Sequence, residues 1–215
     1  MVSKEINVKH LLFYPAMLLF LGIVLGIGIK YLGNCDLINI LDIGNFLVSL
    51  PFWMFTCMLI SIKTKSAKRA SINVLSYCLG ISLGYCLTSQ FYFGFLPGNY
   101  MEIIRLVLVS PVLAYTCWYS KLAGKIALGI SSVIIAYLFN FTFVYEDNYF
   151  DVVSILDMLL FFLSIVVLKR SWEERAIILG GGILLAIFFH ILNNYLGFGI
   201  FISNYFGIFL IYLNK

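Results

Sequence analysis

Charge is what this chain has least of. Lys, Arg, Asp and Glu make up 11% of its 215 residues, against roughly 25% in a soluble domain, which excludes an ordinary water-facing fold. Histidine is scarcer still, at two residues. With His10 and His190 far apart there is no H-E-x-x-H metalloprotease helix, and the chain also lacks a G-x-x-x-x-G-K-[ST] phosphate loop and a G-x-S-x-G nucleophile elbow. The five cysteines, Cys35, Cys57, Cys78, Cys86 and Cys117, form no C-x-x-C pair and have no His at ligand spacing. No metal, redox centre or cofactor is expected, and all but Cys35 fall in apolar runs where the thiol acts as a small hydrophobe. No catalytic residue can be named, so an enzyme is the less favoured class.

What is present is apolar: 62% hydrophobic residues and a mean hydropathy of +1.02. The apolar windows fall near 11–32, 46–62, 72–94, 101–120, 126–145, 152–168, 177–195 and 198–213. Each approaches the ~20 residues that cross a bilayer as a helix. The expected fold class is therefore all-α: a polytopic integral membrane helix bundle of about eight transmembrane helices, residues 1–215 making one transmembrane domain with no soluble domain. Seven spans result if Asn193 to Gly199 marks a re-entrant segment. The segment Leu32 to Asn45 is the longest outer loop and has room for a short interfacial helix.

The amino-terminal run from Leu11 to Ile29 follows Lys4, Lys9 and His10 as a signal peptide would, but it is too long for an h-region and no small-x-small cleavage site follows. It is read as the first span. Leu32-Gly33-Asn34-Cys35 departs from a lipoprotein box at Asn34, and no lipidation is expected there.

The net charge of +4 sits in short clusters between apolar runs and not along one face, which argues for topology signals and against nucleic-acid binding. Placing the amino terminus in the cytoplasm puts every basic residue on that side except Lys30 and Arg105. Asp36, Asp42, Glu146, Asp147 and Asp151 then fall outside. With eight spans the carboxy terminus is cytoplasmic as well. The expected location is a bacterial cytoplasmic membrane, with aromatic residues such as Tyr92, Tyr145, Trp118 and Trp172 at the interfaces.

Small residues recur at four-residue spacing: Gly22 and Gly26 in the first span, and Ser76, Gly80, Gly84 and Thr88 in the third. Such stripes permit close helix contact where lipid supplies no hydrophobic drive for association.

Polar side chains inside spans are costly, and each is a functional candidate. These are Gln90, Glu102, Arg105, Asn140, Asp157, His190 and Asn193. At 1.5 Å per residue, Arg105 and Asp157 lie roughly 6–8 Å in from the outer ends of their spans, and the amides and His190 fall in outer halves too. The seven read as one polar layer open to the outside, Arg105 facing an anionic group and Asp157 a cation or proton. The competing reading pairs Arg105 with Asp157 or Glu102 to neutralise charge and makes the amides helix links.

His190 with Asn194, preceded by Glu173-Glu174, resembles the motif set of the CPBP intramembrane glutamic proteases over about twenty residues. Arg175 directly follows the acids instead of lying four residues on, and no second His lies between. No protease is assigned on this pattern.

Two functions follow as expectations. One is a small-solute transporter or membrane substrate-binding subunit that takes an anionic or zwitterionic solute in the polar layer. The other is a non-catalytic accessory, interaction or immunity-type protein working with other membrane subunits. The lipid bilayer is a partner in both.

Overall fold

A computed structural model describes residues 8–32, 46–47, 49–94, 97, 100–146, 149–152, 154–168 and 171–196. Among them lie seven α-helices: α1 (Val8–Leu32), α2 (Leu50–Lys63), α3 (Ala67–Thr88), α4 (Tyr100–Tyr119), α5 (Lys125–Thr142), α6 (Ile155–Val167) and α7 (Trp172–Leu196). A π-helical turn, Ser89–Phe93, continues α3, and one antiparallel hairpin pairs β1 (Phe143–Glu146) with β2 (Tyr149–Val152). The first seven expected spans each correspond to a helix. The eighth, 198–213, and the loop 33–45 lie outside the described residues.

Segments of α1, α3 with its π turn, α5 and α7 are long and apolar enough to cross a membrane: Tyr14–Tyr31, Ala67–Tyr92, Lys125–Thr142 and Trp172–Leu192. The apolar lengths of α2, α4 and α6 are shorter. The 13 residues of α6 rise only about 20 Å, against a hydrocarbon core of about 30 Å.

Helix starts depart from the hydropathy windows for a local reason. Serine accepts a backbone N–H at three of them: Ser66 from Arg69, Ser154 from Leu156 and Ser171 from Glu174. Such caps satisfy donors that a helix leaves open. They let α3 and α7 begin in polar sequence, around Lys68 and Glu173, ahead of the apolar residues. The hairpin is the other departure. Residues 143–145, expected at the end of a span, are extended, and Phe143 pairs with Val152 across the ladder.

The two small-residue stripes meet each other. A Cβ added at Gly22 would lie 2.9 Å from the Ile81 nitrogen, and one at Gly26 2.9 Å from that of Tyr85. From the other side, a Cβ on Gly80 would strike the Leu19 carbonyl and lie 3.0 Å from the Ile23 nitrogen, and one on Gly84 would strike the Ile23 carbonyl. Backbone therefore touches backbone, and the numbers rise together along α1 and α3, so the two run parallel. Gly182 against Ile135, with Asn140 bonded to Ala186, sets α7 parallel to α5 in the same way.

Buried positions include many small hydroxyls, with Ser61, Ser131, Thr142 and Ser164 fully covered. Most return their proton to a carbonyl of the preceding turn, as Ser61 does to Cys57 (2.7 Å) and Ser131 to Ala127 (2.8 Å). The outside is the apolar side, with Phe20, Leu108 and Leu184 about two-thirds exposed. A surface this apolar suits lipid and not water. Pro111 interrupts α4 without breaking it: it has no N–H for the Val107 carbonyl, and the Ser110 hydroxyl donates there at 2.8 Å.

At the amino-terminal end of α3 a polar clamp joins two connections. The Trp118 indole N–H donates to the Thr64 carbonyl at 3.0 Å. The Lys121 ammonium donates to the same oxygen and to the Ile62 carbonyl, and lies 4.5 Å from the Trp118 ring centre. Both side chains thus satisfy carbonyls that the end of α2 leaves without helical partners. Partial burial there lowers the Lys121 pKa below the ordinary lysine value.

Candidate functional site

Of the five polar candidates whose side chains are described, Asp157 is the most enclosed, at 3% exposure in the first turn of α6. Its Oδ1 accepts the Ser49 hydroxyl at 3.0 Å. Ser49 stands at the amino-terminal cap of α2 but makes no side-chain cap bond there; its hydroxyl donates across to α6 instead. The Asp157 carbonyl also accepts from the Thr142 hydroxyl at 3.5 Å. Through its carboxylate Asp157 ties α6 to the start of α2, and through its backbone carbonyl to the end of α5. A carboxylate in a first helical turn is favoured as well by the positive end of the helix dipole.

Asn140 is half-buried and donates from Nδ2 to the Ala186 carbonyl at 3.4 Å, an amide link between α5 and α7. His190 is half-buried on α7, one turn beyond Ala186. Gln90, in the π turn, and Arg105, on α4, are exposed. The side chains of Glu102 and Asn193 lie outside the described part of the structure.

The structure also contains a cavity that none of the five described polar candidates lines. It is a crevice of about 560 Å³ between α4 and α5, with Met58 of α2 and Val74 of α3 in its floor. Its α5 wall is the row Gly129, Val133, Tyr137 and Phe141; Val109, Leu113 and Cys117 form a matching row on α4. Residues four apart share a helix face, so each helix turns one continuous stripe inward. The rim is open, with Leu113 and Ile126 more than half exposed. Apart from the hydroxyls of Ser110, Thr116 and Tyr137, the Trp53 indole and the thiols of Cys57, Cys78 and Cys117, the lining is apolar.

The Cys57 and Cys78 sulfurs lie 3.7 Å apart, a proximity that spacing along the chain could not reveal because it is made between two helices. Among the described residues no group of three or more His, Cys, Asp or Glu side chains is placed to share a metal ion. The signal that could have found the crevice was the row at four-residue spacing on α5, which reads in the sequence as an ordinary apolar face.

Chemically the crevice can hold an apolar chain or a partner side chain entering from the bilayer. Among the described residues of its lining there is no charged group for a polar solute. The chain matches no protein-family profile, no curated protein and no solved structure.

Proposed function

We propose that this chain is a non-catalytic multi-pass membrane subunit that binds an apolar molecule through the crevice between α4 and α5. The observation that carries the reading is the crevice itself: an apolar, laterally open volume of drug-like size with no charged residue among the described residues of its lining. In this reading the bundle has eight spans, forms a single domain and keeps both termini in the cytoplasm. The alternation of the described helices supports that arrangement, since the ends carrying Lys63, Lys65, Lys121 and Lys125 share one side of the bundle.

Crosslinking with a phospholipid that carries a diazirine on its acyl chain tests the binding reading. Label should concentrate on Val133 and Tyr137, and Gly129→Phe, which fills the crevice where an added Cβ meets nothing within 4 Å, should remove it. Label spread evenly over the outer faces of α1 and α7 would refute a defined site. Reporter fusions test the topology: Lys65, Lys125, Arg170 and Lys215 should report inside, and Asp36 and Asp147 outside.

A second reading, a small-solute transporter using the polar layer, is favoured by the buried Asp157. Its ligand would be anionic or zwitterionic, and Asp157→Asn would abolish uptake without removing lipid label from the crevice.

A further inference from the structure

The crevice has two unlike ends. On α5 the stripe Phe141, Tyr137, Val133, Gly129 continues one turn further to Lys125, the exposed first residue of the helix. On the facing wall α4 ends in the turn that holds Lys121, already engaged by the Ile62 and Thr64 carbonyls. Two cations thus stand at one mouth, and Lys125 is the exposed one. At the other end the α4 stripe continues to Arg105, but Glu102 lies one turn before it, and the hairpin leaving α5 carries Glu146 and Asp151. At the Lys125 end the basic residues Lys63, Lys65, Lys68, Arg69, Lys121, Lys125 and Arg175 outnumber the acidic Glu173 and Glu174.

The dimensions agree with a lipid tail. From Lys125 to Phe141 the stripe rises about 24 Å, enough for an acyl chain spanning the roughly 15 Å hydrocarbon half of a bilayer. Apart from a few hydroxyls, one indole and the thiols, the described walls between are methyl, methylene and ring surface, which a tail enters without losing a hydrogen bond, whereas a strongly polar solute would give up most of its hydration.

Resting on the crevice reading above, we propose that the occupant is an anionic phospholipid, with one acyl chain along the α4–α5 crevice and its phosphate at Lys125. Lys125 selects the headgroup charge, and the crevice selects only for a chain.

The test uses the full chain in nanodiscs of equal parts phosphatidylglycerol and phosphatidylcholine with matched acyl chains, followed by native mass spectrometry of the lipid retained on release. The wild type should keep phosphatidylglycerol in preference. Lys125→Gln should lower that preference by about fivefold, the size expected for one lysine near an anionic surface, and Lys68→Gln, an exposed cation on α3, should leave it intact. Gly129→Phe should release both lipids, with Val133→Phe as a second plug should the first fail to fold. Equal retention of the two lipids by the wild type, with both released by a plug, would overturn the anionic headgroup and leave the crevice reading standing. Retention unaffected by either folded plug would overturn both.

Discussion

Two helix pairs in this bundle are built in opposite ways. α1 and α3, separated in sequence by a whole helix, touch backbone to backbone through Gly22, Gly26, Gly80 and Gly84. α4 and α5 follow one another with a short turn between them, yet part to leave about 560 Å³. Nearness along the chain therefore does not set nearness in space. In lipid, the helices approach as closely as the side chains at the contact allow. Glycine faces glycine at the first pair, while at the second Leu113 and Val133 line an open crevice and a Cβ added at Gly129 would meet nothing within 4 Å.

The sharpest way to break this comparison is one substitution applied to both. Gly80→Leu puts carbon into backbone atoms that cannot rotate away, so it should cost on the order of 3 kcal/mol or more and appear as loss of the monodisperse peak after mild heating in detergent. Gly129→Leu should leave that peak in place. Equal losses would mean that the seam is not the tighter contact.

Next in size is the polar join between the two apolar ones. Asp157→Ala leaves the Ser49 hydroxyl buried without that acceptor, a loss of about 1–3 kcal/mol. The Ser49→Ala, Asp157→Ala double-mutant cycle should give a coupling of about 1 kcal/mol. Strictly additive thermal shifts would show that the bond contributes nothing.

A smaller effect is expected at the clamp closing the crevice's basic end. Trp118→Phe keeps the ring against Lys121 but removes the N–H that reaches Thr64, and should lower stability by about 1 kcal/mol. If α4 is held there, hydrogen exchange at residues 112–119 should rise while α1 is unaffected.

The smallest effect has the opposite sign. Gly129→Ala adds a methyl to open space inside a helix and should stabilise by up to about 0.5 kcal/mol. The same change at Gly26 should destabilise, because its Cβ would meet the backbone of Ile81 and Tyr85. Thermal midpoints of the two alanine variants, measured side by side, report the sign.

Much of the helical plan was legible in the sequence. The places of the seven described helices came from runs of apolar residues, a signal that needs no partner to be read. The stripes Gly22–Gly26 and Gly80–Gly84 were legible as contact surfaces, though not as each other's partner. Helix starts at Ser66 and Ser171 were missed because the windows waited for apolar residues where a hydroxyl had already opened the helix. The strands at 143–152 were missed because Phe-Val-Tyr reads as apolar in either conformation, and the ladder bonds decide between them.

The candidate site shows the sharper division. That Asp157 and Asn140 lie in apolar segments, and so must find partners, follows from the sequence and from the cost of an unsatisfied polar group in an apolar medium. Composition likewise pointed to a membrane, since too few charges exist to coat a soluble surface, and the length of the apolar runs pointed to helices. Which partner each polar group takes is a different matter. Ser49 is 108 residues from Asp157, and Ala186 is 46 from Asn140. Those pairings, and the crevice itself, arise from helices meeting at particular angles and depths. A gap between two helices belongs to neither sequence, and only their packing decides it.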